Sequence, residues 1–130
     1  MSQAPSILVI DDSYIDRLVA TMLIADTFGI ADVREVATGR QALTMLSSDE
    51  IDRSNRLLIL LDIKMPEMSG FEFLDELDKL DPANTQNLDI LMLSSTIDPS
   101  DIDRAGKHPR VKKLLTKPLS IHDLKEFLYQ

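Results

Sequence analysis

Apolar residues along the chain fall into two alternating kinds of segment. "SILVI" (6–10), "DVREVA" (32–37), "LLILL" (57–61), "DILML" (89–93) and "VKKLLT" (111–116) read as short strands. Three of them are nearly continuous apolar runs, the pattern of strands covered on both faces. The segments at 32–37 and 111–116 are more polar, as edge strands are. Between the strands the period changes to that of a helix. Ile15, Leu18, Val19, Met22 and Leu23 follow the i, i+3, i+4, i+7, i+8 spacing of one buried face. Ser13 and Asp16 mark the start of that helix, and Gly29 offers its stop. Further helices are predicted over 39–48, over 69–80 with a Ser69/Glu72 capping box, over 98–106 with Asp98 as cap and Pro99 at the first position, and over 120–130 with Ser120 as cap. Strands alternating with helices in this way predict an α/β fold: a parallel sheet with helices on both faces and right-handed crossovers. The stretches 48–56 and 81–89 read as polar surface connections.

Length and composition narrow the class. The 130 residues fit one domain, 1–130, with no output domain expected after the last helix. No cysteine is present, which excludes disulfides and thiolate metal sites. No apolar run approaches the roughly 18 residues that span a bilayer, and "MSQAPS" is no signal peptide. A cytoplasmic protein without a membrane partner is expected. The formal charge of −8 disfavours nucleic acid as a partner. The acidic residues are scattered, and most read as a solvated surface.

The chemistry gathers at strand ends. Parallel strands share one C-terminal rim, where open α/β sheets bind ligands. Asp11 and Asp12 follow the first strand, Asp62 ends the third, Ser94 ends the fourth, and Lys117 follows the fifth. Each alone has an ordinary explanation: an Asp or Ser capping a helix, or a surface lysine. Their joint placement on one rim does not. An oxygen-only cluster suits a hard cation such as Mg²⁺, with Mn²⁺ also compatible. Such a set could hold an incoming phosphoryl group with one carboxylate as nucleophile. Asp62, alone at a central strand's end, is the best nucleophile candidate. Asp11 and Asp12 suit a metal-binding pair, Ser94 a hydrogen-bond donor to a phosphoryl oxygen, and Lys117 a mobile positive charge.

The motifs "ILVIDDS", "LLILLDIKMPEMSGFEFL", "ILMLSS" and "LLTKPLS", in this order and spacing, resemble the receiver domain of two-component response regulators. The resemblance covers essentially the whole chain. It implies a flavodoxin-like (βα)5 fold with strand order 2-1-3-4-5. It implies that Asp62 is the phosphoacceptor and that Asp12 ligates Mg²⁺ directly, with Asp11 often acting through water. Metal ligation would be shared by Asp62 and the backbone carbonyl of Lys64. Ser94 would be the switch hydroxyl and Lys117 the phosphate-contacting lysine, with a cis Lys117–Pro118 bond. Implied partners are a sensor histidine kinase or a histidine phosphotransfer protein, plus a downstream protein target, for a chain that is a monomer or weak dimer.

Pro66 and Gly70 shape the turn after Asp62, and Met65 reads as packing. His108 and His122 lie outside the rim motifs and read as surface or cap residues. Lys64 and Thr96 occupy positions that influence phosphoryl lifetime in the family. One position departs from the pattern: many receivers carry an aromatic residue where this chain has Leu114.

Two other functions fit the sequence less well. A phosphohydrolase that forms an aspartyl-phosphate commonly spaces its first-strand acids two apart. Here they are adjacent, and there is no cap insertion. A pseudo-receiver that binds partners without phosphorylation fits poorly with the intact acidic set. The sequence therefore predicts a binding module that catalyses only its own phosphorylation and dephosphorylation, rather than an enzyme acting on other molecules.

Overall fold

A computed structural model describes residues 4–51 and 54–128. It contains β1 (Ser6–Ile10), α1 (Tyr14–Phe28), β2 (Val33–Val36), α2 (Gly39–Leu46), β3 (Leu57–Asp62), α3 (Gly70–Leu77), β4 (Leu88–Ser94), α4 (Pro99–Gly106), β5 (Val111–Thr116) and α5 (Ile121–Leu128). The five strands form one parallel sheet in the order β2-β1-β3-β4-β5, the expected flavodoxin-like topology. A short 3-10 turn, Pro82–Thr85, interrupts the predicted loop 81–89. The predicted ends of the fifth helix (129–130), of the amino terminus (1–3) and of the loop at 52–53 lie outside the described residues.

The apolar runs become the inner strands because both of their faces are covered. Alternate residues of β1 and β3 enter opposite clusters. Leu8, Ile10, Ile59 and Leu61 pack with Leu46 of α2 and Phe73, Leu74 and Leu77 of α3. Ile7, Val9, Leu58 and Leu60 pack with Ala20 and Ile24 of α1 and Leu124 and Leu128 of α5. Each fully buried side chain of this size contributes about 1.5–3 kcal/mol. The polar edge strands β2 and β5 carry mostly half-buried or exposed residues.

Helix boundaries follow their caps. Ser13 accepts from the Asp16 N–H, and Gly29, at φ 65°, closes α1 with its N–H donating to the Ala25 carbonyl. Thr38 caps α2, and the Ser69/Glu72 capping box starts α3. Asp98 caps α4, whose first residue is Pro99.

One helix face differs from the expectation. Ile15, Leu18, Val19 and Met22 of α1 are solvent-exposed, at 61%, 38%, 48% and 53%; the buried residues are Ala20 and Ile24. The reason lies in rotation about the helix axis. Arg17 donates from Nη1 to the Asp11 carbonyl at 2.8 Å and from Nε to Glu35 at 3.0 Å, which pins the first turn against β1 and β2. With that edge fixed, Ala20, Ile24 and the half-buried Phe28 form the i, i+4, i+8 stripe that meets the sheet. Periodicity alone did not separate this stripe from the richer apolar one beside it.

Candidate functional site

The chain leaves β1 toward β2 on one side and toward β3 on the other, so the crevice of the sheet opens where β1 and β3 end. Asp62 is the last residue of β3, and Asp11 follows β1 directly. Both are buried, at 6% and 4% exposure, whereas Asp12 is exposed. Oxygens of Asp11, Asp12 and Asp62 all lie within 4.8 Å of one another.

Lys117 reaches this group from the turn after β5. Its Nζ lies 2.6 Å from Asp11 Oδ2, 2.8 Å from Asp16 Oδ2 and 3.4 Å from Asp62 Oδ1. The Lys117–Pro118 bond is cis, as the resemblance implied. Asp11 Oδ1 accepts from the Ser13 N–H at 2.9 Å, so both of its oxygens have donors. Asp16 is a fourth acid at the site that the sequence reading missed.

These neighbours shape the charges. Burial raises the pKa of Asp62 to about 6, the negative charge of Asp11 adds to the rise, and Lys117 opposes both. Burial alone would lower the Lys117 pKa. Hydrogen bonds to Asp11 and Asp16 and the charges of Asp11 and Asp62 outweigh it and hold the ammonium above its usual value.

Ser94 stands at the end of β4, 1% exposed. Its hydroxyl donates to the Thr96 carbonyl at 2.6 Å and accepts from the Thr96 N–H at 3.3 Å. The Thr96 hydroxyl accepts from Lys64 Nζ at 2.8 Å. The loops after β3 and β4 are thus tied together across the mouth of the site.

The turn after Asp62 requires glycine at position 70. A Cβ there would meet the Asp62 carbonyl oxygen at 2.6 Å and Ile63 Cα at 3.0 Å. The Gly70 N–H donates to the Ile63 carbonyl at 2.8 Å, folding α3 back beneath the acid. Met65 is buried in the α2–α3 cluster, as expected.

Leu114 is half-buried and packs on the cluster formed with α2, α3 and α4. It lines a groove with Ile97, Ile102, Ala105 and Val111. The two histidines lie away from the rim. His122 is exposed, 3.5 Å from Glu126. His108 is less exposed than the sequence suggested: its side chain, 12% exposed, pairs with Asp78 at 3.0 Å, and its Nδ1 accepts from the Arg110 N–H.

The buried acid at a central strand's end, the acidic pair one strand away and the lysine after β5 together define a receiver-type site. The family model for the response regulator receiver domain matches residues 7–129, and the chain belongs to that family. It is similar to two-component response regulator ORR3 of Oryza sativa subsp. indica, 31% identical over 92% of this chain and 85% of that protein. It is also 31% identical to protein-glutamate methylesterase/protein-glutamine glutaminase 1 of Paramagnetospirillum magneticum, over 91% of this chain but only 29% of that one. Among solved structures, the response regulator receiver protein of Dyadobacter fermentans matches with a TM-score of 0.85 and 32% identity, covering 96% of this chain and 95% of that one. Chemotaxis protein CheY4 of Vibrio cholerae matches with a TM-score of 0.77 and 25% identity, covering 97% of each chain. The chain is a receiver domain of two-component signalling, a family in which aspartyl phosphorylation and Mg²⁺ are typical. No helix among the described residues is long and apolar enough to cross a membrane.

Proposed function

We propose that this chain is a phosphorylation-controlled binding module in which Asp62 takes a phosphoryl group from a phosphohistidine donor. The observation that carries this reading is the convergence of Asp11, Asp12, Asp62 and Lys117 at the sheet's switch point. An Asp62 oxygen attacks phosphorus, the bond from phosphorus to the donor nitrogen breaks, and the nitrogen keeps the electron pair. Lys117 supplies positive charge on the side of β5. Ser94 leaves the Thr96 carbonyl to donate to a phosphoryl oxygen, which releases the loop after β4.

The donor set fits a hard divalent cation. It is all oxygen, burial and then the charge of Asp11 raise the Asp62 pKa, and three carboxylates, Asp11, Asp16 and Asp62, lie within 4 Å of the one Lys117 ammonium. Asp11, Asp12, Asp62 and the Lys64 carbonyl are the residues proposed to hold Mg²⁺. When bound, it would offset the carboxylate and phosphoryl charges that otherwise repel one another. Incubation with acetyl phosphate and Mg²⁺ followed by intact mass spectrometry tests the reading: one phosphoryl group per chain is expected, and no adduct would rule it out.

The donor's place is assigned to α1. Tyr14, Ile15, Leu18, Val19 and Met22 form an exposed apolar stripe beside the rim, a fitting surface for the helices of a histidine kinase or histidine phosphotransfer protein. The double variant Ile15→Ser/Leu18→Ser is expected to slow transfer from a phosphorylated histidine phosphotransfer protein by about tenfold or more. Labelling by acetyl phosphate, which needs no docking, should stay at the parent rate. Equal slowing with both donors would contradict the assignment.

Output is assigned to the loop Ser95–Asp98 and α4, since Leu114 has no ring to turn between inward and outward positions. Leu114→Ala should cost about 1–2 kcal/mol, below the roughly 2–5 kcal/mol of a fully buried leucine, because the side chain is only half-buried. Amide NMR of that variant with beryllofluoride should still show the loop shift. Loss of the shift with binding intact would make Leu114 the relay.

A further inference from the structure

Lys117 has an anchor that the phosphorylation chemistry does not require. Of the anions around its Nζ, Asp11 and Asp62 belong to the three-carboxylate cluster, but Asp16 does not. Asp16 sits in the first turn of α1, its N–H bonded to Ser13 Oγ at 3.2 Å, and its carboxylate reaches across to the turn after β5. The ammonium has three protons. It spends two on short bonds, to Asp11 at 2.6 Å and Asp16 at 2.8 Å, while Asp62 stands farther off at 3.4 Å. In this state the lysine is drawn toward α1 as well as toward the acid it would serve.

We propose that Asp16 is a positioning residue that holds Lys117 back in the unphosphorylated protein and yields it when Asp62 is phosphorylated, so that the first turn of α1 senses the state of the site. The inference rests on the reading of Asp62 as phosphoacceptor. Phosphorylation replaces one carboxylate charge by a phosphoryl group of higher charge, and the flexible lysine moves toward it. Its bond to Asp16 opens first. The Asp16 side chain is 44% exposed, so water and salt screen that pair, whereas the Asp11 side chain is 6% exposed and its pair is screened far less. The freed Asp16 carboxylate then stands at the edge of the Tyr14–Met22 stripe, between Ile15 and Arg17. Phosphorylation thereby adds negative charge to the surface assigned to the donor, a change that the donor meets once transfer is complete.

The test is a beryllofluoride titration in Mg²⁺, followed by NMR on the parent and on Asp16→Asn. Asparagine keeps the size of the side chain and removes the competing charge. In the parent, the Asp16 side-chain carboxyl ¹³C resonance and the Tyr14–Arg17 amides should shift at saturation. In Asp16→Asn, beryllofluoride should bind about two- to fivefold more tightly, the range set by a partly exposed ion pair. The Tyr14–Arg17 response should shrink while the Thr96 amide still shifts. Unchanged or weaker affinity in the variant would overturn the proposal, as would an Asp16 carboxyl resonance that stays still in the parent. A parent that binds no beryllofluoride would overturn the phosphoacceptor reading beneath it.

Discussion

Asp62→Asn is expected to abolish phosphoryl labelling and, in metal-free protein, to make the fold more stable. Asparagine preserves the shape of the side chain but offers no anionic oxygen to attack phosphorus. Neither Asp11 nor Asp12 should substitute, because Asp11 is tied to Lys117 and the Ser13 N–H, and Asp12 lies exposed beyond β1. The gain in stability follows from the raised pKa. Asp62 has an ordinary value of 3.8 and titrates near 6 in the folded protein. Between those values the native state holds a proton that the unfolded chain has released, so stability falls as pH rises through this window. The parent should lose about 2 kcal/mol between pH 4 and pH 6 from this group, of the roughly 3 kcal/mol that its whole titration carries, and Asp62→Asn should lose none of it. Denaturant melts of both proteins in chelator, at pH 4, 5, 6 and 7, measure the difference. Parallel curves would show that burial and Asp11 do not destabilise the charged acid.

The second large effect concerns the metal. Chelation should suppress labelling by acetyl phosphate at least tenfold or so, because the acidic rim repels an anionic donor. Asp12→Ala should weaken Mg²⁺ binding more than Asp11→Ala. The structure supports this order: the Asp11 oxygens already accept from Lys117 and Ser13, while the Asp12 carboxyl faces outward beside Asp62. Calorimetric titration of Mg²⁺ into the two variants decides the order. Labelling that persists undiminished in excess chelator would remove the metal from the account.

The sheet was legible because β1, β3 and β4 are buried on both faces and carry apolar residues at nearly every position between their ends. The convergence of Asp11, Asp62 and Lys117 was legible for a related reason: parallel strands end on one side, so residues just past their ends meet. What lay outside the pattern depended on rotation and long-range pairing. The rotation of α1 is set by Arg17 reaching Asp11 and Glu35, contacts that no local spacing encodes. Asp16 reads in sequence as an ordinary acid in a helix's first turn, favoured there by the helix dipole. Its partner Lys117 lies 101 residues away. His108 reads in sequence as a surface or cap residue, and its contact with Asp78 crosses 30 residues. Even so, a cluster of acids facing one lysine was a signal that further anions near that lysine should be sought.

The most direct test of the central claim is to locate the phosphoryl group itself. The parent is incubated with acetyl phosphate and Mg²⁺, reduced with borohydride, which converts an aspartyl phosphate to homoserine, and mapped by peptide mass spectrometry. The account predicts conversion at Asp62 alone, lost when phosphorylation is omitted. Conversion at Asp11 or Asp12 instead, or none in a sample that carries the phosphoryl adduct, would contradict it.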